Sequence, residues 1–180
     1  MPAADLILPG FYGKLPATGD FVGRRLPFDF VQRFDAWMAR HLAPLIGDPA
    51  WPADLPLRFV AGPGCFGPAA GIMLPSADKV GRRFPLGLAA VLPAAPLALS
   101  RAERWFAALE EVGLAAAGGE LGADALEARL AALPSPDVSA GDELVETMVV
   151  WTERSDLYDV DPDEPREVLD RVLAADWETS

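Results

Sequence analysis

Two polar clusters, each set among apolar anchors, are the first candidates for chemistry. Residues 10–25, GFYGKLPATGDFVGRR, supply Lys14, Asp20, Arg24 and Arg25. Residues 75–83, PSADKVGRR, supply Ser76, Asp78, Arg82 and Arg83. A lysine after glycine raises the question of a phosphate loop. In a Walker-type G-x-x-x-x-G-K-[ST] loop, backbone N–H groups close on phosphate, the lysine reaches the outer phosphates and the hydroxyl holds Mg²⁺. Gly10 and Gly13 are only three residues apart, Leu15 stands where the hydroxyl belongs, and Pro16 removes a backbone donor. No helix can start on Leu15-Pro16, because the residue before a proline avoids the α region. The phosphate-loop reading of residues 10–15 fails.

The second cluster admits two readings. Ser76 and Asp78 are turn formers, and Gly81 tolerates backbone conformations costly to other residues. Arg82 and Arg83 carry guanidinium forks that match a phosphate or a carboxylate, so the loop can be read as an anion site. Equally, one arginine can pair with Asp20 or Asp78 and fix the loop. The first cluster is similar: with Pro16, Gly19, Gly23 and Pro27 it reads as a rigid loop that presents a pre-shaped surface.

Other constellations are incomplete. Ser-His-Asp chemistry needs a base beside its nucleophile. The one histidine, His41, falls at the end of a predicted helix, where a cation is favoured by the helix dipole and a capping or surface role is expected. One cysteine, Cys65, excludes an internal disulfide and a cysteine-based zinc site. The stretch DLYDVDPDEPRE, 156–167, has acidic residues at alternating positions but Val160 and Pro162 where a calcium loop needs its flexible turn, so it reads as a solvated acidic loop. No metal or cofactor is expected.

The elements that must position these residues follow from periodicity. Phe30, Phe34, Trp37 and Met38 recur at helical spacing and predict an amphipathic helix from Pro27 to before Pro44. Residues 55–61, 70–74 and 86–92 predict strands, the last covered on both faces. Ser100 with Glu103 has capping-box spacing ahead of a helix to about Ala117. Further segments are a helix over 124–133, a strand over 144–152 and a last helix after Pro165. This order lacks strict β-α-β alternation, which predicts an α/β fold with a mixed sheet in a single domain over 1–180.

Composition agrees with a globular chain: 180 residues, 51% apolar and 23% charged. The net charge is −12, and it is uneven. Residues 1–136 carry 12 basic and 13 acidic side chains, whereas 137–180 carry 3 and 14. That imbalance argues against nucleic acid as a partner. MPAADLILPGF lacks the basic start of a signal peptide, and no apolar run approaches a bilayer span, so a soluble cytoplasmic protein is expected.

Set side by side, the two clusters resemble a known family. GFYGKLPATGDFVGRRLPFDFVQRFDAWM, 10–38, resembles the opening signature of the TagF (also called ImpM) proteins of bacterial type VI secretion. PSADKVGRRFPLGLAAVL, within 74–92, resembles that family's second signature, P-S-x-D-x-V-G-R-x-F-P-L. Beyond residue 100 the likeness weakens to a helix-rich region and the strand of TMVVWTERSD. The resemblance implies a three-layer α/β/α sandwich and a cytoplasmic, non-enzymatic accessory protein that represses secretion after translation. It also implies an apparatus partner, with a forkhead-associated (FHA) scaffold the expected one. Some members carry a PP2C-type phosphatase domain; these residues hold nothing of that kind, and no phosphatase activity is expected. A phosphate- or nucleotide-binding protein or enzyme using the Ser76, Asp78 and Arg82 loop, and a structural subunit of the apparatus, are the alternatives. The expected functional surface joins both clusters, with Asp20 or Asp78 in salt-bridge reach of an arginine from the other signature.

Overall fold

The computed structural model describes residues 8–47, 51–136 and 143–174. Residues 1–7, on which most of the signal-peptide argument rests, and parts of the acidic 137–180 region lie outside those described. Seven strands form one sheet: β1 (Gly10–Gly13), β2 (Val22–Arg24), β3 (Leu57–Ala61), β4 (Ala69–Leu74), β5 (Leu86–Val91), β6 (Met148–Trp151) and β7 (Tyr158–Asp159), in the spatial order β2-β1-β5-β4-β3-β6-β7. Among the described residues four α-helices accompany it: α1 (Phe28–His41), α2 (Glu103–Ala117), α3 (Ala123–Ala131) and α4 (Arg166–Leu173).

Strand alternation builds the layers. Along β3, Leu57, Phe59 and Ala61 face the core shared with α1 and α4, while Val60 faces the core shared with α2 and α3. Phe30, Phe34, Trp37 and Met38 fill the first core, as their spacing predicts; Phe106, Leu109, Val112 and Ala116 of α2 fill the second. The result is the expected three-layer α/β/α arrangement. Gly87 of β5 shows how closely the layers meet. A Cβ there would lie 2.4 Å from the Phe34 ring, so the bare backbone lets α1 settle onto the sheet.

The sheet is not mixed: every strand pair is antiparallel. Parallel neighbours need a crossover that returns the chain in the same direction beside the strand it left. Here β1–β2, β3–β4 and β4–β5 are joined by short reversals. The helical connections lead to strands that are not neighbours of the ones they leave. The three apolar runs at 55–61, 70–74 and 86–92 became β3, β4 and β5. Residues 10–25, expected to be loop, contain β1 and β2. Their glycines serve chain approach: a Cβ at Gly10 would lie 2.3 Å from the Arg24 carbonyl oxygen.

The predicted capping box at α2 is absent. Residues Leu97–Arg101 form a 3₁₀ turn in which Ser100 Oγ donates to the Leu97 carbonyl at 2.7 Å, and α2 begins after Ala102 with no side-chain cap. The local turn competes for the hydroxyl and wins.

One charged side chain lies in the middle of the sheet. Arg58 of β3 is 1% exposed and donates to Glu103 at 2.6 and 3.1 Å and to Glu110, both on α2, with its guanidinium over the Phe106 ring. Burial works against its charge, but the bonds to Glu110 and Glu103 hold its pKa above the ordinary arginine value.

Candidate functional site

The two signatures meet. Lys14 leaves the end of β1 just as the chain turns, and Ser76 leaves the end of β4, so the antiparallel order β1-β5-β4 brings both exits to one side. Ser76 Oγ donates to the Lys14 carbonyl at 2.7 Å, and Lys14 Nζ lies 3.4 Å from Asp78 Oδ2. Asp78 is the hub. Its Oδ1 accepts the Val80 and Arg82 backbone N–H groups at 3.1 and 2.9 Å, and its Oδ2 accepts Arg82 Nε at 2.7 Å. Arg82 Nη2 then crosses to the Gly19 carbonyl at 2.9 Å, and the Lys79 N–H donates to the Thr18 carbonyl at 2.7 Å.

Aromatic rings close the junction from the other side. Phe21 stacks on Tyr12 at 5.9 Å and meets Phe84 edge-on at 4.9 Å, with Lys14 Nζ 4.8 Å above the Phe21 ring. Tyr12 is anchored below, its hydroxyl donating to Asp35 of α1 at 2.6 Å. What remains outward is Phe21, 44% exposed, Val80, 72% exposed, and the Arg82 side chain.

The eight expected site residues thus divide. Lys14, Ser76, Asp78 and Arg82 form the brace. Asp20 is beside it, but its carboxylate turns back to accept the Phe21 N–H at 2.7 Å and makes no ion pair among the described residues. Arg24 and Arg25 leave the junction for α3: Arg24 lies 3.6 Å from Asp124 and 3.7 Å from Glu127, and Arg25 Nε lies 3.0 Å from Glu127. Arg83 packs its guanidinium against the turn at Gly47, where a Cβ would collide with Nη1 at 2.0 Å. The expected carboxylate–arginine bridge between signatures is replaced by two others, Lys14 to Asp78 and Arg82 to a backbone carbonyl. An anion at the Ser76 loop would face a buried carboxylate whose neighbouring cations are already engaged.

Burial alone would raise the Asp78 pKa, but the Arg82 N–H and guanidinium, with Lys14, bring it down from 3.8 to about 2. A depressed carboxylate contributes stability above its unfolded pKa and loses it as pH falls through the folded value. Denaturant titrations of wild type and Asp78→Asn should therefore differ in stability at neutral pH. The gap should narrow between about pH 4 and pH 2. A gap that stays constant through that window would remove Asp78 from its place as the hub.

A second constellation was invisible in the sequence. A cleft of about 320 Å³ between α1, the β3–β4 turn and the segment before α4 is lined by His41, Cys65 and Asp163 together with Arg33, Arg40, Trp37 and Phe66. Histidine, thiol and carboxylate in one cleft resemble a nucleophile set, yet no hydrogen bond joins Cys65 to His41. Burial pushes the Cys65 thiol up to about 11, which keeps it protonated and weakly nucleophilic. His41 is half-buried with its ring 5.2 Å from Trp37. Burial and Arg40 lower its pKa against the pull of Asp163, so the cationic role expected at the helix end is not favoured.

Among the described residues no helix is long and apolar enough to cross a membrane. Among curated proteins none matches the chain. The fold is similar to the crystal structure of PA0076 from Pseudomonas aeruginosa PAO1, at a TM-score of 0.69 and 29% identity, over 92% of this chain and 93% of that one. Residues 10–133 match the TagF N-terminal domain, described as type VI secretion system-associated. That span contains both signatures and the brace between them, and the chain belongs to the TagF N-terminal domain family.

Proposed function

We propose that this type VI secretion-associated protein is a non-enzymatic repressor that acts in the cytoplasm by capturing an apparatus protein, with an FHA scaffold as the expected partner. One observation supports this most: the signature polar groups hold one another, and an apolar and cationic patch is left outward. Phe21, Val80 and Arg82 project from a brace in which four polar contacts cross between the signatures. Rigid, pre-shaped contacts of this kind suit recognition, because little conformational freedom is lost on binding. Arg24 is drawn away from the patch to Asp124 and Glu127 of α3 and is proposed as a separate cationic contact with the partner.

Val80→Asp changes only an exposed side chain, so it should weaken capture of the scaffold at least about tenfold and leave the melting temperature unchanged. Arg82→Ala and Arg24→Ala should weaken it too, the first with some loss of loop stability. Immobilised FHA scaffold and purified variants give the measurement, and secretion of an effector from cells carrying each variant gives the biological readout. Secretion should rise in the variants and in a deletion strain. Failure of secretion on deletion would indicate a structural subunit instead. Normal capture and repression by all three variants would reject the patch.

A further inference from the structure

We propose that the cleft beside the C-terminal half of α1 binds a phosphate monoester, held by Arg33, Arg40 and His41. Arg33 and Arg40 are seven residues apart, two turns of one helix face, so their long side chains rise from the same wall. Arg33 Nη1 donates to the Cys65 carbonyl at 3.2 Å, which ties that guanidinium to the opposite rim and leaves its other N–H groups available. Arg40 has no ion pair or hydrogen bond among the described residues, although the protein carries a net charge of −12 and Asp163 lines the same cleft. His41 completes the donors. Its ring rests on Trp37, whose indole N–H donates to the Pro162 carbonyl at 2.9 Å and is thereby locked as part of the wall.

The donor set selects the ligand class. Three donors rising from separate positions suit the three free oxygens of a phosphate better than the two coplanar oxygens of a carboxylate. Two guanidinium groups outweigh the single Asp163 carboxylate, and the Cys65 thiol adds no charge. The parts of the Trp37 and Phe66 rings that line the cleft offer an apolar seat for the esterified group, and the volume of about 320 Å³ lies at the small end of ligand cavities. A bound dianion also favours the protonated imidazole against burial and Arg40, so binding and His41 protonation are linked.

The chain has one histidine, so NMR reads the cleft without ambiguity. Phenyl phosphate, inorganic phosphate and benzoate are titrated separately into the full chain, following the His41 ring protons and the Trp37 indole. Phenyl phosphate should shift both and raise the His41 pKa by about one unit. Inorganic phosphate should bind more weakly, and benzoate at least tenfold more weakly. The doubly exposed R33Q/R40Q variant should keep its melting temperature and lose phenyl phosphate affinity at least tenfold. Equal binding of inorganic phosphate would assign the cleft to free phosphate and overturn the monoester, and equal binding of benzoate would overturn the phosphate class. No His41 or Trp37 response at millimolar phenyl phosphate, or full affinity in R33Q/R40Q, would overturn the site itself.

Discussion

Arg58→Ala is expected to cost about 3–5 kcal/mol of folding stability, the range found when one partner of a buried ion pair is removed. The partners differ in weight. The Glu103 side chain is 68% exposed, so water can replace its share of the interaction, whereas that of Glu110 is 9% exposed and that of Arg58 2%. Burial already works against the Glu110 charge, and Arg58 is the first influence opposing it. Without the guanidinium, Glu110 must either take a proton or drag its carboxylate towards solvent, and either response disturbs the α2 contact with the sheet. The pair is also imperfectly satisfied: Arg58 Nε and Glu110 Oε2 have no hydrogen-bond partner among the described residues. The double variant Arg58→Met, Glu110→Leu should therefore recover most of the loss. Urea unfolding of the single and double variants measures both effects, and a cost below about 1 kcal/mol for Arg58→Ala would contradict the burial of the pair.

Gly13→Ala is expected to be the most damaging change within the signatures. Gly13 has φ of 141°, a conformation that side chains rarely adopt, and holding alanine there costs about 1–3 kcal/mol before any collision is counted. The collision is severe as well. A Cβ would lie 2.1 Å from the Pro85 carbonyl oxygen and 3.0 Å from Leu86 Cα, both backbone atoms of the segment entering β5. Relief requires β1 to part from β5 at the Gly13–Leu86 pair, beside Lys14. Thermal melting should fall by several degrees or more, and partner capture should fall with it. The contrast with Val80→Asp separates two routes to loss of the proposed repression, one through stability and one through contact alone. A Gly13→Ala protein with wild-type melting behaviour would show that β1 and β5 do not approach as closely as described.

Much of the fold was legible because its central elements are apolar and regular. β3, β4 and β5 stand where uninterrupted hydrophobic runs predict them, and α1 follows its aromatic spacing. β1 and β2 were not legible. Four residues with glycine at both ends and three with glycine in the middle carry little strand propensity, and only the pairing of β1 with β5 and of β2 with β1 makes them strands. Sheet direction was misread because spacing along a chain does not tell where a helical connection returns.

The site was legible as a set of segments but not as a set of bonds. Asp78 and Arg82 are four residues apart and their pairing could be anticipated. Lys14, first weighed for a phosphate, instead meets a carboxylate 64 residues later. Arg24 and Arg25 are drawn away by Glu127, which sits on a helix outside both signatures. Positions 41, 65 and 163 share a cleft only because α1, a turn and a late loop converge, and no spacing rule links them.

The pairing of residues 10–13 with 86–89 has a consequence for when this protein can act. Closing so long a stretch of chain is a late and entropically costly step compared with the local reversals of β3, β4 and β5. Neither signature holds its half of the brace alone: the lysine comes from one and the aspartate from the other. A chain that has not yet extended through β5 lacks the strand on which β1 pairs, and with it the support of the patch. On the proposed function, a partner that recognises this patch would read completed folding along with it.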